Sequence, residues 1–230
     1  MRYFKLFLLS IILLFINQNL YAQDWANMNK FQKANTELMN SNITGNRVVF
    51  MGNSITEGWS VHHPEFFQNQ SYINRGISGQ TTPQMLLRFR QDVIDLNPSA
   101  VVILAGINDI AQNTGPISIE MIFGNIKSMV ELSRANHIKV VLCSVLPANS
   151  FPWRPSIIPT EKVIKLNDLL KSYALANNII YVDYFSAMAD ASNGLKKELG
   201  IDTVHPNKEG YLVMEPLIEE ALKKALNKYE

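Results

Sequence analysis

The chain has 230 residues, 47% apolar and 18% charged, with 21 basic against 20 acidic side chains. That length suits one domain with a full hydrophobic core, and the composition excludes an intrinsically disordered chain. No basic block occurs anywhere, which argues against nucleic acid or a strongly anionic membrane as a partner.

In chain order, residues 1–22 read as a secretory signal peptide: a basic start at Arg2 and Lys5, an apolar stretch over 6–16, then a short polar run to Ala22. The stretch falls short of the ~20 residues a membrane-spanning helix needs. Cleavage is expected after Ala22, the alternative being a retained anchor, and no cysteine follows the stretch to carry a lipid. The remaining domain, 23–230, keeps 19 basic and 20 acidic side chains, a net charge of −1. Its one cysteine, Cys143 in "KVVLCSVL", has no partner for an internal disulfide and suits a small buried apolar group.

Residues 24–41 read as an amphipathic helix. The apolar run 47–52 is a first strand that ends in Gly-Asn-Ser and a polar turn, and 71–76 is a second. A helix follows over 82–97, with Thr82 as its cap and Pro83 in its first turn. Strand 100–106, helix 118–136, strand 139–146, a proline-rich loop, helix 160–177 and strand 179–184 come next. A final helix starts near Asn207. The strands are mostly continuous apolar runs, as in strands buried on both faces, and they alternate with helices. The expected fold is a three-layer α/β/α sandwich around a five-stranded parallel sheet, with the ligand crevice outside the carboxyl ends of the strands.

Four polar, glycine-bearing segments converge on that edge: Gly52-Asn53-Ser54, "NRGISGQTT" (74–82), "AGIND" (105–109) and "DTVHPNKEGY" (202–211), whose "DTVHP" holds the carboxylate and the imidazole. Together they offer a hydroxyl, backbone amides, a carboxamide, and a carboxylate with an imidazole, the set that acyl transfer requires. A serine needs a base, and His205 is the best placed of the four histidines. Asp202, three residues earlier, can reach Nδ1–H and leave Nε2 for Ser54. Pro206 keeps His205 extended before the last helix, which Asn207 can cap. The Ser54 N–H, the Gly79 N–H and the Asn108 side chain are candidate donors to an oxyanion.

These four blocks, in this order, resemble the signature blocks of the SGNH-hydrolase superfamily, the GDSL-like esterases and lipases. The resemblance spans Gly52 to His205. It implies Ser54 as nucleophile, His205 as base and Asp202 as its orienter. It also implies an oxyanion hole of Ser54, Gly79 and Asn108, a flavodoxin-like strand order 2-1-3-4-5, and no metal or organic cofactor. The family usually has Asp where this chain has Asn53, which removes a charge beside the nucleophile and keeps a hydrogen-bonding side chain. Thr56 takes the last position of a Gly-x-Ser-x-Gly elbow, so the α/β-hydrolase pattern fits less well.

Other residues are open to two readings. Trp59 and Trp153, the latter in the loop 147–159, are candidate substrate contacts; the competing reading is plain packing. The neighbouring His62 and His63 suit an exposed loop better than a metal site, and Asp109 suits a bracing role. An exported serine esterase follows, acting on a small-molecule or glycan ester. Short connections leave little chain for a lid, which favours a small acyl group, acetyl above all. The resemblance extends to bacterial enzymes that deacetylate carbohydrates. The alternatives are a lysophospholipase or an acetylhydrolase of the platelet-activating-factor type, and a non-catalytic glycan-binding module on the same fold. No stable membrane insertion is expected after cleavage, and no oligomeric state is implied.

Overall fold

The computed structural model describes residues 24–41, 46–68 and 71–226; the expected signal peptide lies outside them. The elements are α1 (Gln32–Asn40), β1 (Val48–Gly52), α2 (Ser54–His62), β2 (Tyr72–Gly76), α3 (Thr82–Asp92), β3 (Ala100–Leu104), α4 (Ile107–Ile110), α5 (Ile119–Ala135), β4 (Lys139–Cys143), α6 (Thr160–Ala176), β5 (Ile180–Val182), α7 (Tyr184–Met188) and α8 (Lys208–Leu226). The strands form one sheet in the order β2-β1-β3-β4-β5, every pair parallel, as expected. Strands β1 and β3 are buried at every position, because helices cover both faces of the sheet. One group of packed helices is α3, α5 and α6; the other is α2, α7 and α8. Cys143 is a free, buried thiol, and burial pushes it up to about 12.

Register positions the crevice. Gly52 is the Cα partner of both Gly76 and Leu104, so β1, β2 and β3 finish at one level. The segments that follow them therefore leave the sheet side by side.

Three expectations about where helices begin need correction. The N-terminal helix begins at Gln32 rather than at 24. The Asp24 carboxylate accepts from the Met28 and Asn29 N–H groups at 2.6 and 3.0 Å, and Asn27 is left-handed at φ 52°. This turn is also used from outside: Gln84, Gln80 and Gln91 donate to the carbonyls of Trp25, Ala26 and Met28 at 2.6, 2.6 and 2.5 Å. Second, Thr81 rather than Thr82 is the cap of α3, in a capping box with Gln84. Third, the segment after Gly52-Asn53 is a nine-residue helix, α2, and not a turn. Its Ser, Thr and Gly content hides an apolar face made by Ile55 and Trp59.

Candidate active site

Ser54 is the first residue of α2. Asn53 caps the helix, its Oδ1 accepting from the Ile55 N–H at 3.0 Å, and it is 1% exposed. The neutral amide thus does the bracing that a carboxylate would otherwise do. First-turn N–H groups of a helix have no partner within it, so the Ser54 N–H belongs to a donor-rich end.

Across the crevice edge, the Ser54 Oγ lies 3.0 Å from the His205 Nε2, although 151 residues separate them. The His205 Nδ1 lies 2.8 Å from the Asp202 Oδ2. The other carboxylate oxygen accepts from the backbone N–H groups of Val204 and His205, both at 2.7 Å. Partial burial pushes the Asp202 carboxyl up, but the hydrogen bonds from the His205 ring and from the two backbone groups outweigh it and hold the carboxyl below its usual value. An ionised Asp202 places the ring proton on Nδ1 and turns the Nε2 lone pair to the Ser54 hydroxyl, which donates to it. The loop is pinned: the Ile201 N–H donates to the His205 carbonyl at 2.8 Å, and the Thr203 hydroxyl donates to the Ser150 carbonyl at 3.0 Å. Asn207 caps α8, its Oδ1 accepting from the Gly210 N–H at 2.9 Å.

Gly79 has φ +77°, and a Cβ there would meet nothing within 4 Å, so its backbone, not crowding, is what requires glycine. The Asn108 side chain is 4% exposed and donates from Nδ2 to the Gln80 carbonyl at 3.0 Å, which fixes the amide against the Gly79 loop. Asp109 does brace: it accepts from the Thr82 N–H at 3.0 Å and from the Thr82 hydroxyl at 2.6 Å. Burial pushes its carboxyl up to about 6 against those bonds.

The two tryptophans part company. Trp153 is 43% exposed, with its ring centroid 5.9 Å from that of His205 and Phe151 packed behind it at 5.3 Å. Trp59 does not join them. It is 1% exposed, stacked between Phe66 and Tyr211, with its indole N–H donating to Glu215 at 3.0 Å. Five residues beyond Ser54 on a helix, it is carried to the core face. His62 and His63 end that helix instead of forming a loop. His63 is half-buried, its Nδ1 2.6 Å from the same Glu215 carboxylate oxygen. Among the described residues no group of three or more His, Cys, Asp or Glu could hold a metal ion.

Sequence reasoning missed the support beneath the site. Arg88, 0% exposed, donates to the Gly52 carbonyl at 3.1 Å, the Arg75 carbonyl at 2.8 Å, Gln80 at 2.6 Å and Asp92 at 2.9 Å. It joins the ends of β1 and β2 to the Gly79 loop. The visible signal was an arginine inside the apolar run "MLLRF" with an aspartate four residues on.

Residues 50–213 match the GDSL-like lipase/acylhydrolase family. A crystal structure from Bacteroides fragilis NCTC 9343, assigned as an acylhydrolase, is 52% identical with a TM-score of 0.87, and the match covers 89% of this chain and 100% of that one. An acetyl xylan esterase shares the fold at 19% identity and a TM-score of 0.62, over 76% of this chain and 99% of that one. The uncharacterized lipoprotein YqeF of Bacillus subtilis (strain 168) is 35% identical over 82 residues, a match that spans 34% of either chain.

Proposed function

The chain belongs to the GDSL-like lipase/acylhydrolase family, and on that premise we propose that it is an exported serine esterase that removes small acyl groups, acetyl above all, from carbohydrates. The observation that carries the chemistry is the 3.0 Å approach of the Ser54 Oγ to the His205 Nε2, with Asp202 behind the ring at 2.8 Å. Ser54 attacks the ester carbonyl carbon as its proton passes to Nε2. Asp202 holds the resulting imidazolium. The Ser54 and Gly79 N–H groups and the Asn108 amide take up the negative oxygen, each such donor contributing about 3–4 kcal/mol to the transition state. The tetrahedral species collapses as Nε2–H protonates the leaving alcohol, which leaves an acyl-Ser54. Water, deprotonated by His205, then releases the acid and restores the serine.

The carbohydrate reading rests on Trp153. His205 delivers its proton to the alcohol oxygen, and the half-exposed indole lies against the His205 ring. An alcohol that brings a sugar ring with it therefore meets a flat, partly apolar surface. The likeness of fold to an acetyl xylan esterase agrees with this reading.

Export is supported by the signal-like residues 1–22 and by the lipoprotein relative. No helix among the described residues is long and apolar enough to cross a membrane. Mass spectrometry of the exported protein should show a chain beginning at Gln23.

The decisive experiment measures acetate release from acetylated glycans and nitrophenyl acetate by the wild type and by Ser54→Ala. The variant should fold and lose turnover; full activity in it would refute the assignment. A preference for octanoyl over acetyl esters would favour a lipid substrate instead. Tight glycan binding with no fluorophosphonate labelling of Ser54 would favour a binding module.

A further inference from the structure

The nucleophile and the Gly79 N–H stand on different elements, and their spacing depends on whatever ties α2 to the loop after β2. Two ties exist. The inner one is Asn74, whose Nδ2 donates to the Thr56 carbonyl and the Ser60 hydroxyl, both at 2.6 Å, while its Oδ1 accepts from the Gly76 N–H at 2.8 Å. The outer one is Glu57, three residues after Ser54 on the same helix. Its Oε2 accepts from the Ser78 N–H at 2.7 Å and from the Ser78 hydroxyl. Its Oε1 accepts from the Lys30 ammonium, which comes from the turn before α1.

The outer tie grips the residue next to Gly79. Its side chains are about one-third exposed, 30% for Lys30 and 32% for Glu57, so it adds little to the core. We propose that Glu57, with Lys30 as its counter-ion, is a positioning residue that holds the Gly79 N–H in place relative to Ser54, which makes the N-terminal turn part of the catalytic apparatus. The proposal rests on the esterase reading above. Partial burial pushes the Glu57 carboxyl up, but Lys30 and Ser78 more than offset this and keep it below its usual value, so the tie persists in mildly acidic solution.

The test compares Glu57→Ala, Glu57→Gln and Ser78→Ala with the wild type by kcat and KM on nitrophenyl acetate, by affinity for a boronic acid that adds to Ser54, and by Tm. Glu57→Ala should lower kcat about 10- to 100-fold, as a small misplacement of a reacting group does, with KM within about twofold. Boronic-acid affinity should fall with kcat/KM, and Tm should hardly move. Glu57→Gln keeps an acceptor for Ser78 and should recover most of the loss. Ser78→Ala removes one of the two loop donors and should lose about threefold. Wild-type kcat in Glu57→Ala, or a loss that Glu57→Gln leaves unrecovered, would overturn the proposal. Failure of the esterase reading looks different, because the wild type itself would then neither turn over ester nor take up fluorophosphonate.

Discussion

Gly76→Ala tests how finely Ser54 is placed. Gly76 ends β2, level with Gly52, and the start of α2 passes directly over it. A Cβ built there lies 2.2 Å from the Glu57 nitrogen, 2.7 Å from the Glu57 Cα and 2.8 Å from the Asn53 carbonyl oxygen. All three are backbone atoms of the segment that carries Ser54, so no side chain can swing aside. Restoring an ordinary contact of 3.4 Å requires the first turn of α2 to move by the difference, 1.2 Å. A misplacement of about 1 Å at a reacting group costs roughly 100-fold in rate. The overpacking itself costs about 1–3 kcal/mol, a minority of a typical domain's stability, so the protein should stay folded. At this chain length that corresponds to a Tm lower by roughly 2–12 °C. Steady-state kinetics on nitrophenyl acetate and a thermal melt read both quantities. A folded Gly76→Ala protein whose kcat stays within threefold of wild type would refute the reasoning, because the site would then tolerate a displaced serine.

Gly124, inside α5, is the matched control: a Cβ there meets nothing within 4 Å, so Gly124→Ala should stabilise by about 0.8–1 kcal/mol in denaturant titration and leave kcat alone. Asp202→Asn should lower kcat by about 10⁴ with a smaller change in KM, since the amide favours the wrong ring tautomer; single-turnover kinetics check this. Asp109, pushed up to about 6 from 3.8 by burial, binds its proton more tightly in the folded protein than in the unfolded one. Its contribution is therefore fully present below about pH 4 and lost as pH rises through about 6, by about 3 kcal/mol. The stability of the wild type minus that of Asp109→Asn, measured in urea, should fall by about that amount from pH 4 to pH 7; a flat difference would contradict the burial argument. Asp202 has the opposite sign, since its carboxyl is lowered: its stabilisation is present above the unfolded value and fades as pH falls.

The strands were legible because a sheet covered on both faces writes itself as unbroken Val, Ile and Leu runs. The approach of Ser54, His205 and Asp202 to one another was legible because each follows a strand or precedes the last helix in a short polar segment. The N-terminal turn was not, since three glutamines from distant positions decide where its carbonyls point. The core position of Trp59 was hidden because Gly58 and four hydroxyl-bearing or acidic neighbours make the segment read as a turn; it is a helix, and Phe50, Phe66 and Tyr211, from three separate parts of the chain, pack on its tryptophan. Helical periodicity can put Arg88 on the buried face with Met85 and Asp92, but it does not say which distant groups the guanidinium meets. Its partners at Gly52, Arg75 and Gln80 come together only in the fold.

The separation of Ser54 and His205 along the chain governs when reactivity can arise. Emerging from a ribosome, Ser54 appears early, just after a strand whose neighbours in the sheet are still to come. It is an ordinary alcohol until residues 202–205 arrive and α8 docks behind them. On the proposed mechanism, a half-made chain is chemically silent toward esters, and hydrolytic competence switches on only with the closing of the last loop, so the onset of activity during refolding should report the docking of α8.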